Sequence, residues 1–188
     1  MINCDGNANY PMNDLAVKML KDSIPYGNIS SNMSDSAVKH VSKLKGILKK
    51  RYGNMDIIFT SGGSEGNSTV IHQFTYTGIP HILCPTTSHA STSEGLEQLD
   101  KDGKIKLKWY VPNVNGEFDL DILDKNMAGM DLFICQSVNS ETGTIHPIRK
   151  ISKLVRKYNA KFAIDDVQGF LKIPFYHDIC DYVTVSMH

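Results

Sequence analysis

Short apolar runs of strand length alternate with amphipathic stretches along the chain. The runs at residues 56–59, 81–84, 132–135, 162–164 and 182–185 are predicted to be core strands. Residues 105–111 alternate between apolar and polar side chains, which is the two-residue period of a half-buried strand. Between the runs, apolar residues recur at helical spacing, as Val41, Leu44 and Leu48 do. Strands that alternate with helices predict an α/β fold of three layers, α/β/α, with a mainly parallel sheet.

Composition and charge exclude several classes of function. The 188 residues include 20 basic and 20 acidic side chains, so the chain lacks the positive field of proteins that bind nucleic acid or anionic membranes. The locally basic stretch 43–51 is interpreted as the solvated face of a helix. No apolar run approaches the roughly 18 residues of a membrane span, and residues 1–6 lack the features of a signal peptide. These patterns predict a soluble cytoplasmic protein with no nucleic-acid or membrane partner.

The cysteines and histidines form no metal-binding pattern. Cys4, Cys84, Cys135 and Cys180 lie far apart and include no Cys-x-x-Cys pair. The histidines are scattered, and no two have metal-ligand spacing on one helical face. No metal site is therefore predicted. Cys84 and Cys135 end apolar runs, so both are predicted to be buried strand residues rather than nucleophiles.

A glycine-rich turn follows the first predicted strand. Residues 61–67 read Ser-Gly-Gly-Ser-Glu-Gly-Asn and lead into a helical stretch. A phosphate group needs several donors at close range, and the N–H groups and dipole of a helix start provide them. Gly63 lets the main chain approach closely, and the Ser64 hydroxyl can add a donor. The residue order matches no nucleotide-binding motif, and such a turn alone is more often an ordinary helix entry.

Polar side chains also follow three other predicted strands. Asp165 and Gln168 follow one strand, Ser186 and His188 follow the next, and His89 follows the strand at 81–84. In an open α/β sheet, ligands bind outside the carboxyl ends of parallel strands, so these groups are predicted to converge with Ser64. Taken alone, Asp165 and Gln168 are more often part of an ordinary strand-end turn than of a binding site, and a lone histidine is more often a surface or capping residue.

Several motifs, in order, resemble the class V aminotransferases and, within them, the cysteine desulfurases, which are fold-type-I enzymes that use pyridoxal phosphate (PLP). Residues 57–67 resemble that family's Ile-Ile-Phe-Thr-Ser-Gly-Ala-Thr-Glu-Ala-Asn, and residues 138–145 resemble its Val-Asn-Asn-Glu-Ile-Gly-Thr-Ile. Asp165-x-x-Gln168 followed by Ser186-x-His188 resembles its cofactor motifs. The resemblance covers almost the whole chain. It implies a domain arrangement of an N-terminal arm and helix at 1–30 and a PLP-binding large domain at 31–188.

The resemblance assigns PLP as the cofactor and gives most of the candidate residues a role. Asp165 would hold the pyridine nitrogen, and Gln168 would reach the phenolic oxygen. The phosphate would be bound by Gly63, Ser64, Ser186 and His188. The neighbouring Asp166 is expected to point to the other face of the strand, where it is solvated or caps a helix.

Two further candidates depart from the family pattern. His89 occupies the position of the histidine in Glu-His-x-x-Val, which stacks on the PLP ring and helps to move protons. The family's glutamate is Ser88 here. Ser140 stands where the second asparagine of Val-Asn-Asn-Glu contacts the phenolic oxygen. Because a hydroxyl reaches less far than an amide, either Asn139 shifts inward or the Ser140 contact is weaker.

The implied reaction removes the sulfur of L-cysteine, which leaves alanine and an enzyme persulfide. The resemblance also implies a homodimer that passes this sulfur to an acceptor protein of iron–sulfur cluster assembly. In the family the Schiff-base lysine follows the counterpart of His188, and a small C-terminal domain and a loop cysteine come later. The chain as given does not contain them, so it is expected to be inactive alone. The alternatives are a non-catalytic chain that binds PLP or pairs with a full-length enzyme, and a selenocysteine lyase or another class V aminotransferase.

Overall fold

The computed structural model describes residues 14–23, 35–53, 55–174 and 179–186. The described residues divide into two compact units, one before and one after the boundary between Ile58 and Phe59. In the first unit, helix α1 spans Asp14–Ser23 and helix α2 spans Asp35–Tyr52. On α2, Leu48 and Tyr52 are buried. The lysines between residues 43 and 50 are exposed, which confirms that this basic stretch is a solvated helix face.

The second unit alternates helices and strands, as the sequence predicts. Its elements are α3 (Gly63–Thr75), β1 (His81–Pro85), α4 (Ala90–Lys101), β2 (Lys106–Tyr110), α5 (Leu120–Asn126), β3 (Leu132–Gln136), α6 (Ile148–Lys157), β4 (Lys161–Asp165) and β5 (Tyr182–Thr184). The strands form one sheet in the order β2-β1-β3-β4-β5. Every neighbouring pair is parallel. The α/β fold with a parallel sheet is therefore confirmed.

Both faces of the central strands are buried. On one face, Leu132 and Ile134 of β3 pack with Leu96 of α4 and Ile71 of α3. On the other face, the Phe133 ring stacks on Phe162 of β4, with the ring centroids 5.8 Å apart. Because both faces of the sheet are covered, β3 is buried at every position, and the sequence shows a continuous apolar run up to its last residue, Gln136. The edge strand β2 instead alternates exposed lysines with half-buried residues, as predicted from its period of two.

One predicted strand is wrong. Residues 56–59 are not part of a strand, and Ile58 and Phe59 are 75% and 51% exposed. A strand needs a neighbour to pair its N–H and C=O groups, and the edges of the described sheet are β2 and β5. The apolar character of the run was therefore not sufficient to make it a strand.

Helix α3 approaches strand β5 very closely. A methyl group added at Gly66 would lie 2.7 Å from Cγ2 of Thr184, which is nearer than side-chain carbons pack. The Thr184 methyl group thus occupies the space that an alanine at position 66 would need. On the same face, the Phe74 ring contacts Tyr182 edge-on at 5.7 Å between centroids. This close approach fixes the distance of the α3 backbone from the sheet.

The substitution Gly66→Ala is expected to destabilise the protein, at a steric cost of about 1–3 kcal/mol. In a Thr184→Ser background the clashing methyl group is gone, and the same substitution should instead stabilise by about 1 kcal/mol through helix propensity. Gly95→Ala in α4 is the matched control, since a methyl group there meets nothing within 4 Å. The free energies of unfolding are measured in urea for the original protein, the two single variants, the double variant and the control. Equal effects of Gly66→Ala in both backgrounds would contradict the contact.

A buried histidine lies beside the aromatic side of the core. His146 is 5% exposed and stacks on Phe118 with 4.0 Å between ring centroids. Its Nδ1 atom has no hydrogen-bond partner in the part of the chain that the structure describes. Burial disfavours the charged ring and lowers the pKa of His146 to about 4. The folded state therefore keeps this ring neutral where the unfolded chain protonates it.

Protonation of His146 is expected to weaken the fold in mild acid. Its folded pKa lies below the unfolded value, so its contribution is fully present above about pH 6.5 and is lost progressively as the pH falls towards 4. Between pH 7 and 4.5 the native chain should lose about 2 kcal/mol more unfolding free energy than the His146→Gln variant. Chemical unfolding at each pH provides the comparison. Parallel pH curves for the two proteins would show that His146 is not responsible.

Candidate functional site

The ends of the parallel strands bring the predicted site residues to one edge of the sheet. In the strand register, Gln136 pairs with Asp165, and Asp165 pairs with Thr184. These three residues therefore lie side by side where β3, β4 and β5 end. The loops that follow the strands carry most of the candidates: His89 after β1, Asn139 and Ser140 after β3, Gln168 after β4, and Ser186 after β5.

Asp165 is a carboxyl group that is largely removed from water. It is 5% exposed, and each of its oxygens accepts a hydrogen bond from a neutral group. The Val167 N–H donates to Oδ1 at 3.1 Å, and Asn67 Nδ2 donates to Oδ2 at 2.9 Å. Burying a carboxylate costs free energy unless such donors replace water. Because both donors are neutral, the negative charge remains available to a cationic ligand.

The expectation that Asp166 is solvated or caps a helix is wrong. Asp166 is fully buried, and its Oδ1 accepts a hydrogen bond from the Ser137 hydroxyl. Its N–H donates to the Thr184 carbonyl. A methyl group at Gly169 would lie 2.2 Å from Asp166 Oδ1, so the turn closes tightly over this carboxyl group. Asp166 follows the last residue of β4, and the turn places its side chain inside the protein instead of on an open sheet face.

The start of α3 lies next to the turn after β4. A methyl group at Gly63 would be 3.0 Å from Cγ2 of Val167. No side chain caps the helix at Gly62, and Glu65 instead accepts the Ser61 N–H, a bond that lowers the pKa of Glu65. Ser64 is exposed in the first turn. The N–H groups of this turn can therefore receive an anion close to Asp165.

His89 is the N-cap of α4. Its Nδ1 accepts the Ser91 N–H at 3.1 Å and lies 2.8 Å from the Ser91 hydroxyl. A ring nitrogen that accepts an N–H carries no proton, so the proton of the neutral imidazole is on Nε2. The ring is exposed. The capping interpretation of His89 is therefore correct, and it also sets the orientation in which the ring can meet a ligand.

Asn139 organises the loop after β3. Its Nδ2 donates to Gln136 Oε1 at 2.9 Å and to the Thr87 carbonyl at 2.8 Å. Its Oδ1 accepts the N–H groups of Glu141 and Thr142, at 3.0 and 2.9 Å. The amide thus uses its donors and its acceptor inside the protein and ties the loop after β3 to the loop after β1. It has not shifted to a position where it is free for a ligand.

The remaining candidates are partly accessible. Ser140 is half-buried, and its hydroxyl accepts Gln136 Nε2 at 3.2 Å. Gln168 is half-buried, and its Oε1 accepts Lys172 Nζ at 3.3 Å. Ser186 is half-buried just beyond β5. His188 lies outside the described residues.

Sequence reasoning missed two residues of this edge. Asn67 contacts Asp165 directly, and Gln136 pairs with it in register. Both had a signal. Asn67 is a polar residue four positions before the buried Ile71, on the same face of α3. Gln136 is the first polar residue after an apolar run, the same pattern that identified other candidates.

The cysteines of the sheet are not nucleophiles. Cys84 and Cys135 are buried in β1 and β3, as predicted. Burial raises the pKa of Cys84 to about 12 and that of Cys135 well above its usual range. Cys180, just before β5, is also buried, with its pKa raised to about 12. These thiols remain protonated at neutral pH, so none of the three fits the role of a sulfur-accepting thiolate.

The described segments contain neither a metal-binding cluster nor a membrane-spanning helix. No cluster of three or more histidine, cysteine or acidic side chains there has the arrangement of a metal site. The helices of those segments are too short or too polar to cross a bilayer.

Solved structures share this fold. A NifS-like protein from Rickettsia africae superimposes with a TM-score of 0.84 at 26% identity, over 97% of this chain and 52% of that chain. A structure of SspA in complex with cysteine gives a TM-score of 0.86 at 22% identity, over 97% of this chain and 56% of that chain. The chain therefore has the α/β fold of these proteins.

The sequence places the chain in a family. The model of the aminotransferase class-V family matches residues 26–188, and the chain belongs to that family. The cysteine desulfurase IscS of Rickettsia prowazekii is 31% identical over 169 residues, which are 87% of this chain and 40% of that protein. The chain spans about two fifths of the length of the curated relatives it matches.

Replacing Asn139 by aspartate is expected to loosen the loop after β3. The two N–H donors would be lost, and a carboxylate would face the oxygens of Gln136 and Thr87, at a cost of about 2 kcal/mol or more. Asn115→Asp is the control, because Asn115 is exposed and its change should stay within about 0.5 kcal/mol. Denaturant unfolding measures both. A small effect of Asn139→Asp would mean that its amide does not hold the loops together.

Proposed function

We propose that this chain forms the cofactor-binding part of a PLP-dependent cysteine desulfurase. The observation that carries the proposal is the buried Asp165 carboxylate, which lies where the central strands end and is held only by neutral donors of the described chain. Membership of the class-V family and the similarity to cysteine desulfurases support the choice of cofactor.

The described residues fit PLP. Bound PLP acts as an electron sink, and it does so effectively when its pyridine nitrogen is protonated. Asp165 supplies a dry carboxylate that would keep that proton in place through a charge-assisted hydrogen bond. The first-turn N–H groups at Gly63 and Ser64 would bind the phosphate group, together with Ser186. We assign His188 to the same phosphate on the motif alone.

Other residues of the edge would hold the ring and move protons. His89 would stack on the ring, and its Nε2 is the nitrogen that can exchange a proton with a substrate, since Nδ1 is engaged by Ser91. Ser140 and Gln168 would donate to the phenolic oxygen. Asn139 would act on Ser140 through Gln136 instead of binding the cofactor itself.

The substrate that fits this assignment is L-cysteine. The fold neighbour SspA binds cysteine, and the sequence relatives are desulfurases. We assign the sulfur to an acceptor protein of iron–sulfur cluster assembly, and the working state to a homodimer. The described cysteines are free thiols, which is usual for proteins of the reducing cytoplasm, and we place the protein there.

Turnover needs an amine that bonds the cofactor and a thiol that takes the sulfur. Reading the gene beyond codon 188 tests whether they are encoded: an open frame that begins with a lysine codon supports the enzyme. A stop codon there would favour a non-catalytic PLP-binding chain. Sulfide release from L-cysteine, compared with selenide release from L-selenocysteine, then tests the substrate in the protein as the gene encodes it.

Removing the charge of Asp165 is expected to weaken PLP binding. Asp165→Asn keeps the shape but cannot pair with a cationic nitrogen, so the dissociation constant should rise about 30-fold, or about 2 kcal/mol. Asp166→Asn is the matched control: it changes the adjacent buried carboxyl group, and PLP affinity should change less than about threefold. The dissociation constants for PLP are measured by absorbance titration, at a temperature at which each variant is folded. Equal losses, or none, would remove Asp165 from this role and with it the proposed function.

A further inference from the structure

Asn67 connects two candidate site residues that lie on different elements. Its side-chain nitrogen is 2.9 Å from Asp165 Oδ2 on β4 and 3.4 Å from the Ser91 hydroxyl on α4. Ser91 in turn contacts Nδ1 of His89 at 2.8 Å. A chain of hydrogen bonds thus runs from the carboxyl group of Asp165 to the imidazole of His89, through one amide and one hydroxyl.

The direction of these bonds is fixed by the groups themselves. The amide nitrogen of Asn67 has two hydrogens, one for Asp165 and one for Ser91, and it cannot accept. Ser91 Oγ therefore accepts from Asn67, and its own hydrogen is directed to His89 Nδ1, where it shares the single lone pair with the Ser91 N–H. Each donor along this path of hydrogen bonds therefore has an acceptor.

Asn67 occupies a position where an apolar side chain would normally stand. It is 2% exposed and shares the buried face of α3 with Ile71. A buried amide adds little to stability compared with a well-packed apolar residue, and it is costly when its bonds are lost. The side-chain amide of Asn67 instead holds two site elements, since one of its hydrogens is directed to Asp165 at the end of β4 and the other to Ser91 in the first turn of α4.

We propose that Asn67 is a positioning residue that fixes the Asp165 carboxylate and, through Ser91, the ring of His89, so that both are presented to one ligand together. This inference rests on the proposed function for the identity of that ligand, PLP. As a neutral donor, Asn67 orients the carboxylate without cancelling the charge that a pyridinium would pair with. Because of this connection, a change at Asp165 is expected to alter the position of His89, and the reverse.

The first test measures PLP affinity in a double-mutant cycle. Asn67→Leu keeps a branched side chain of similar size but removes both donors. PLP absorbance titration should show an affinity about tenfold weaker when Asp165 is present, and a change of about twofold or less in the Asp165→Asn background. Ser68→Ala, the next residue on α3, serves as the control and should leave affinity unchanged. An equal loss in both backgrounds would overturn the proposal, because it would show a merely structural role.

The second test needs no cofactor. In the chain without PLP, ¹⁵N NMR of the imidazole nitrogens should show shifted His89 signals in Asn67→Leu and in Ser91→Ala, with assignment from His89→Gln. Ser68→Ala should leave them in place. Unchanged His89 signals in both variants would overturn the connection to His89. If Asn67→Leu does not fold, Ser91→Ala, at a half-buried position, still decides this point.

The two tests separate this inference from the proposed function. If Asp165→Asn leaves PLP affinity unchanged, the proposed function fails, whereas the NMR comparison still confirms or overturns the hydrogen-bond chain. If Asp165 governs PLP affinity but Asn67→Leu changes neither the affinity nor the His89 signals, the proposed function stands and the positioning role is wrong.

Discussion

A carboxylate largely shielded from water is the constraint on which the sheet edge depends. Asp165 can remain in that place only because Val167 and Asn67 supply the hydrogen bonds that water would otherwise make. Asn67 lies on α3, which approaches β5 so closely at Gly66 that a methyl group there would clash with Thr184. Helix packing and site electrostatics are therefore parts of one arrangement, and neither can be altered without affecting the other.

Most of the fold follows from sequence because a parallel sheet covered on both faces demands uninterrupted apolar strands. The runs that became β1, β3 and β4 were visible for that reason, and the alternating residues of β2 revealed an edge. Residues 56–59 show the limit of this reasoning. An apolar run records what a segment could bury, but it does not record whether a neighbouring strand is present to pair with it, and that depends on the rest of the chain.

The candidate site was partly visible for a different reason. Side chains directly after strands must gather at one edge, so Asp165 and His89 could be located from their order alone. Asp166 was misassigned because the alternation of strand faces ends with the strand, and the following turn obeys no such period. Asn67 was overlooked although it stands four positions before Ile71, because that spacing places it on the inward face of the helix but does not show which polar group lies opposite.

The buried thiols give the sheet a property that has nothing to do with sulfur transfer. Cys84 and Cys135 lie in neighbouring central strands, and Cys180 lies just before the edge strand β5. A thiol that is protonated and enclosed reacts with an alkylating reagent only in the fraction of molecules that has locally opened. These three cysteines are therefore native probes of local unfolding. Their separate alkylation rates report how often the centre and the edge of the sheet open, without any engineered label.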